Sequence, residues 1–166
     1  MDELTKKDLE KINKEIEYRK VVVRAQALEA VKTARAHGDL SENFEYQAAK
    51  RDKNRNDSRI RYLEKLVRNA RVISDESKTD EIGINNTVTL YVEDDRVEET
   101  YRLVTSIRGD SLKGLISIDS PLGKAIMRRK VGDRVFVPLG DKDGYYVVVR
   151  KLENTTDDDS LEIRSY

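Results

Sequence analysis

The sequence predicts an α+β protein: an N-terminal antiparallel coiled-coil helical hairpin followed by a small antiparallel sheet domain with one helix. Three observations carry this. Helical periodicity without proline or glycine fills most of the first 72 residues, a polar break follows at 74–80, and beyond it the apolar period falls from near 3.6 to 2. The expected organisation is a hairpin with an acidic tip over 1–74, a linker over 75–81, a C-terminal domain over 82–153 and an acidic, solvated and mobile tail over 154–166.

Between Leu4 and Ala36, Leu9, Ile12, Ile16, Val23 and Ala30 recur at steps of three and four, the seam of a coiled coil. A second stretch from about Ser41 to Val72 carries Tyr46, Ala49, Ile60, Leu63, Val67 and Ala70 on the same kind of seam. Only His37-Gly38-Asp39-Leu40 joins them, and so short a connection forces neighbouring helices antiparallel. Facing residues should then have a constant total of residue numbers. Leu9 with Ala70, Ile12 with Val67, Ile16 with Leu63, Val23 with Asn56, Ala30 with Ala49 and Thr33 with Tyr46 all total 79, which puts the turn between Asp39 and Leu40. At 1.5 Å per residue each arm is roughly 45 Å long. The middle of the seam is polar, with Arg19 opposite Ile60, Asn56 opposite Val23 and Lys53 opposite Gln26, a pattern that costs stability and fixes register.

Past the linker, strands are expected at Thr87–Val92, Glu99–Thr105, Gly114–Ile118, Arg134–Pro138 and Tyr145–Leu152, with turn signals at Gly109-Asp110 and Asp143-Gly144. The one helix lies within Asp119–Lys130, where a serine N-cap precedes Pro121 at the first helical position and basic residues fill the last turn.

Composition narrows the function classes. With 39% charged residues, 37% hydrophobic residues and no tryptophan, the apolar supply is thin for a single globule. No cysteine and a single histidine exclude disulfide frameworks and thiolate or histidine zinc sites, so any metal would need carboxylates. No apolar run approaches the roughly 18 residues that cross a bilayer, and the acidic start is unlike a signal peptide; the expectation is a cytoplasmic protein with no membrane partner. The net charge of zero hides a split: residues 1–70 hold 17 basic against 13 acidic side chains, and residues 71–166 hold 15 against 19.

Two stretches carry a family resemblance. Gly38-Asp39-Leu40-Ser41-Glu42-Asn43-Phe44-Glu45-Tyr46-Gln47-Ala48-Ala49-Lys50 resembles the signature of the GreA and GreB transcript-cleavage factors. Ile116-Ser117-Ile118-Asp119-Ser120-Pro121, continuing to Lys130-Val131-Gly132-Asp133, resembles the second signature of that family, in its C-terminal domain of FKBP-like fold. Arg59–Lys65 and the Ile-Ser-Ile-Asp-Ser-Pro run lean toward GreB, whereas Ala48-Ala49-Lys50 is nearer GreA. The tail after Leu152 goes beyond the usual end of the family.

The resemblance implies a transcription elongation factor, itself no enzyme, that binds bacterial RNA polymerase as a monomer and inserts its hairpin in the secondary channel. There it would stimulate the polymerase's own Mg²⁺-dependent cleavage of backtracked RNA at the nascent 3′ end. Asp39 and Glu42 match the two tip acids that share the Mg²⁺ with the polymerase, and Ser41 between them is a supporting residue; Glu45 matches a further acid one turn down the helix. Carboxylates suit this role, because Mg²⁺ is held by one or two of them plus phosphate and water, and paired metals stabilise both oxygens of a phosphodiester cleavage. Asp39-x-x-Glu42 also reads simply as a capping box for the second helix. On that helix Arg51, Arg55, Arg61 and Lys65 point away from the seam, either as an ordinary solvated face or as a strip for RNA phosphates. The Ser120, Pro121 region is an expected polymerase contact, although Pro121 and Gly123 also read as helix-start packing; His37 reads as a helix-end residue suited to the dipole.

Three rival readings differ in class. A Gre-like inhibitor would occupy the same channel without cleavage, which retention of both tip acids argues against. A prolyl isomerase would need an aromatic-lined pocket, yet the C-terminal domain has no tryptophan and one phenylalanine. A plain coiled-coil adaptor would not need an acidic tip.

Overall fold

Two stretches of helix formers without proline or glycine, on either side of Gly38, build the N-terminal part of the chain, and the computed structural model, which describes residues 1–38 and 43–165, shows where that regularity is interrupted. Strand β1 (Asp2–Leu4) leads into α1 (Lys6–Tyr18), a five-residue π-helical segment (Arg19–Val23), α2 (Arg24–Arg35) and α3 (Phe44–Arg68); β2 (Ala70–Val72) then pairs with β1. The first arm is therefore not one continuous α-helix. A π-turn inserts an extra residue, and its effect is visible in the seam. On α1 and α3, Ile12, Ile60 and Leu63 are buried as expected. Beyond the π-segment, Ala30 and Thr33 are exposed, and Val31 and Ala34, each one place later, turn inward instead.

The pairing across the hairpin moves in the same sense. Arg24–Asp57 and Arg35–Tyr46, on the tip side, exceed the expected total of 79 by two, whereas Arg19–Asn56 and Glu15–Arg59, on the far side, fall short by four and five. An insertion in the first arm shifts the total in that direction, and long side chains reaching along the axis add the rest. Asn56 accordingly meets Arg19 rather than Val23. The turn expected at Asp39-Leu40 lies outside the described residues.

The chain divides into two units, Met1–Asp2 with Lys6–Arg71, and Glu3–Thr5 with Val72–Tyr166. In the second, five strands form one sheet: β3 (Thr87–Val92), β4 (Val97–Val104), β5 (Leu115–Ser117), β6 (Arg134–Leu139) and β7 (Asp143–Glu153), in the order β5-β4-β3-β7-β6. Alternation does the work in β3, where Val88, Leu90 and Val92 face the core with Leu103, Val135, Val137, Val147 and Val149. Each such side chain contributes about 1.5–3 kcal/mol of transfer free energy. Pro138 stands in β6, which is an edge strand, where a missing amide costs no ladder bond on the open side.

Three expectations for this unit are corrected. The sheet is mixed, not purely antiparallel: β5 runs parallel to β4. The chain reverses after Val104 and again between Asp110 and Leu115, which bond each other through both amides at 2.9 Å, and two reversals cancel. The helix, α4 (Pro121–Ile126), stops short of the expected basic turn, because Arg128 takes φ 62° and leaves helical geometry. The β6–β7 turn falls on 140–142, with Gly140 at φ 79°, rather than on Asp143-Gly144, which opens β7.

The tail is corrected as well. Rather than a solvated end, residues 154–165 lie back on the second unit, with Asp157 only 6% exposed and its carboxylate 2.9 Å from the Arg108 guanidinium. A buried carboxylate needs such a partner, and Arg108 supplies it.

Candidate functional site

Around the hairpin's turn, the cap is made by a residue that the sequence pattern did not select. Asn43, in extended conformation, accepts from the Tyr46 amide at 3.0 Å and donates from its side-chain nitrogen to the Ala34 carbonyl at 2.7 Å. It thus satisfies one orphan donor of α3 and adds a second bond to an α2 carbonyl that also accepts from the His37 amide at 3.2 Å. The capping box drawn on Asp39 and Glu42 is therefore corrected: α3 begins two residues after Glu42 and its N-cap is Asn43. Asparagine is among the best N-cap residues, so Asn43 was a signal available in the sequence. Asp39, Ser41 and Glu42 themselves lie outside the described residues.

Glu45 is described, in the first turn of α3, with its Oε2 2.9 Å from His37 Nδ1. This pair spans the two arms and gives His37 a carboxylate partner as well as a helix end. Next to it, Arg35 sits 5.6 Å from the Tyr46 ring centre, and its guanidinium draws the Tyr46 phenol below its ordinary pKa. Among the described residues, no three metal-ligating side chains converge.

Farther along α3 the cations divide into two sets. Arg59 is buried and forks onto Glu15, Nε to Oε1 at 3.0 Å and Nη2 to Oε2 at 3.3 Å, while Arg19 reaches the same carboxylate at 2.7 Å. Burial pushes the Glu15 carboxyl up, but the hydrogen bonds from Arg59 and Arg19 outweigh it and hold the group below its usual range. Asp57 is held low in the same way: desolvation opposes, and Lys53 at 3.1 Å and Arg24 at 3.2 Å prevail. Lys20 pairs with Glu64 at 2.5 Å. Lys20, Arg24, Lys53, Asp57, Arg61 and Glu64 line an open groove on the hairpin, a cation-rich surface that seam counting did not reveal because part of its lining comes from the other arm.

The second set is the expected strip. Arg51, Arg55, Arg61 and Lys65 are all exposed, and Arg61 donates to Ser58 Oγ at 2.9 Å. Among the described residues, no ion pair engages Arg51, Arg55 or Lys65.

On the C-terminal unit, Ser120 Oγ accepts from the Gly123 amide at 3.0 Å and donates to the Ser117 carbonyl at 2.6 Å, so its hydroxyl is engaged in opening α4. Gly123 is required there: a Cβ would sit 2.1 Å from the Ser117 carbonyl oxygen. Pro121 lies in a surface groove with Asp119, Lys124, Phe136 and Pro138.

A helical hairpin bearing exposed cations, with a mixed-sheet domain after it, defines a two-module factor, and comparison with known proteins specifies which. The N-terminal model of the transcription elongation factors GreA and GreB matches residues 3–72, and their C-terminal model matches residues 76–153. Transcription elongation factor GreA of Geobacillus kaustophilus is 44% identical over 135 residues, 81% of this chain and 85% of its own length. That of Bacillus subtilis is 39% identical over 134 residues, again 81% and 85%. Among solved structures, the GreA factor homolog 1 (Gfh1) protein of Thermus thermophilus aligns over 92% of this chain and 99% of its own, at a TM-score of 0.43 and 23% identity. The chain belongs to the GreA/GreB family of transcription elongation factors. These curated relatives bear the GreA name, against the lean toward GreB drawn from Arg59–Lys65 and the Ile-Ser-Ile-Asp-Ser-Pro run. No described helix is long and apolar enough to cross a membrane.

Proposed function

We propose that this elongation factor binds bacterial RNA polymerase through its C-terminal unit, inserts the hairpin in the secondary channel and stimulates the polymerase's own cleavage of backtracked RNA. The single observation that carries the reading beyond family membership is the Asn43 cap. His37 engages Glu45, and Asn43 supplies the N-cap of α3, the role that the Asp39-x-x-Glu42 pattern would otherwise suggest for the tip acids. Those two side chains offer hard oxygen donors suited to Mg²⁺ held jointly with the polymerase, with Ser41 as a neighbouring polar support. The ion, when bound, would supply Lewis acidity at the phosphodiester.

The protein's own residues position and bind. The exposed cations Arg51, Arg55, Arg61 and Lys65 offer phosphate contacts to the extruded 3′ RNA, which are indifferent to sequence. The groove at Pro121, bordered by Phe136 and Pro138, offers an apolar surface beside the Ser120 cap for a polymerase contact. The factor acts as a monomer in the cytoplasm. The deciding measurement is RNA cleavage by a stalled, backtracked elongation complex with and without the factor. Shortened 3′ ends appearing in proportion to factor support the reading; binding to the complex with no added cleavage would make it an inhibitor instead.

A further inference from the structure

Residues 76–153 complete the C-terminal family domain, yet the chain continues, and residues 154–165 are seated on that domain by a set of specific bonds. Thr155 Oγ1 donates to the Asn85 carbonyl at 2.5 Å and lies 2.8 Å from Thr87 Oγ1, and the Thr155 carbonyl accepts from the Asn86 side chain at 3.2 Å. The Thr156 carbonyl accepts from Arg102 Nη2 at 2.6 Å. Asp157 meets Arg108 at 2.9 Å, and Arg108 is only 2% exposed. Ten residues past Asn154, the Arg164 amide returns to the Ile107 carbonyl at 2.9 Å.

Every receiving group belongs to the family domain, and every docked group belongs to the extension. The receiving surface also has the properties of a binding site. It pairs a buried guanidinium, which strongly favours an anion in low dielectric, with backbone and amide groups that read an extended strand. Asn85 stands at φ 70°, a left-handed conformation that few side chains adopt, and its carbonyl is the one that accepts the Thr155 hydroxyl.

We propose that Asn85, Asn86, Thr87, Arg102 and Arg108 form a docking groove for an extended acidic segment with a hydroxyl residue two places before a carboxylate, and that the chain's own Thr155–Asp157 fills it in cis. A segment of that chemistry supplied in trans takes the groove when the tail is released.

The test uses the full-length protein and a fluorescent synthetic peptide of residues 154–165. Asp157→Ala in the protein removes the carboxylate that meets Arg108, so the peptide should bind this variant saturably and at least tenfold more tightly than wild type, whose groove is filled. Changing Asp157→Ala or Thr155→Val in the peptide should lower that affinity several-fold, with no change to the protein. Should Asp157→Ala fail to fold by thermal melt, hydrogen exchange on the wild type replaces it: excess peptide should speed exchange of the Arg164 amide as the tail is displaced. Equal peptide affinity for wild type and variant, indifference to the Thr155 and Asp157 changes in the peptide, or an unaltered Arg164 amide would overturn the proposal.

Discussion

Asn56 holds Arg19 at both ends: its side-chain oxygen accepts from the Arg19 guanidinium at 3.1 Å, and its nitrogen donates to the Arg19 backbone carbonyl at 3.2 Å. The same carbonyl accepts the Arg24 amide five residues on, so Asn56 clamps the first residue of the π-helical segment. At 4% exposure it does this inside the seam. Asn56→Leu keeps the branched heavy-atom shape and removes both bonds, and it should lower stability by about 1–2 kcal/mol, the loss expected when a buried partner of a charged group disappears. Urea unfolding of the two proteins checks this. An unchanged midpoint would mean that the π-segment holds itself.

That clamp also explains what the sequence could and could not disclose. The apolar spacing announces two antiparallel helices, and the alternation of Val88, Leu90 and Val92 places β3 to the residue. Ser120 and Pro121 likewise announce the start of α4, because capping is local chemistry. The π-segment is not legible from Arg-Lys-Val-Val-Val, whose first carbonyl meets Asn56 from the other arm. The parallel β5 depends on how a ten-residue connection folds, and the docked tail depends on Arg108, about fifty residues earlier in the chain. Each of these involves a contact distant in sequence. The role proposed for the tip acids rests on resemblance alone, and the Asp39-x-x-Glu42 pattern points to the wrong cap because Asn43 performs it.

Asn43→Ala should cost about 1 kcal/mol, typical of a lost N-cap, because the Tyr46 amide loses its acceptor while the Ala34 carbonyl keeps the His37 amide as donor. Asn43→Asp keeps the acceptor for the Tyr46 amide and loses only the donor, so it should recover part of the loss. Thermal melts of the two variants read the difference.

The Glu15 cluster predicts an acid-sensitive hairpin. Its carboxyl is held below the usual range in the fold, so the stability it contributes is present above the unfolded value, about pH 4.3, and is lost as pH falls through the folded value. Glu15→Gln should therefore melt below wild type at pH 7, by about 1 kcal/mol after allowance for its partial exposure, and the gap should narrow as pH falls through the folded value and the carboxylate is protonated. A gap that persists in strong acid would assign the effect to packing.

If the exposed strip on α3 holds RNA, replacing Arg51, Arg55, Arg61 and Lys65 with serine should weaken stimulated cleavage of long backtracked transcripts and flatten its salt dependence, because fewer counterions are released. Folding should hardly change, since all four side chains are exposed. Activity and salt slope equal to wild type would return the strip to an ordinary solvated face.

The tip acids admit a sharper separation, because the capping of α3 rests on Asn43. Asp39→Asn and Glu42→Gln keep size and hydrogen-bonding capacity while removing negative charge. On the proposed reading they should leave the melt within about 0.5 kcal/mol of wild type, the usual range for a substitution away from packed features. Stimulated cleavage should nonetheless fall by orders of magnitude, since a hard divalent cation draws its affinity from anionic oxygens and an amide is a poor substitute. Binding to the elongation complex should survive, because the C-terminal unit and the cations of α3 are untouched. The doubly substituted protein should therefore compete with wild type and suppress its cleavage when mixed with it. The measurement is cleavage by a stalled complex at saturating factor, with binding followed in parallel. Normal binding with wild-type cleavage by the double variant would remove Asp39 and Glu42 from the chemistry and leave positioning of the RNA by the strip on α3 as the source of stimulation.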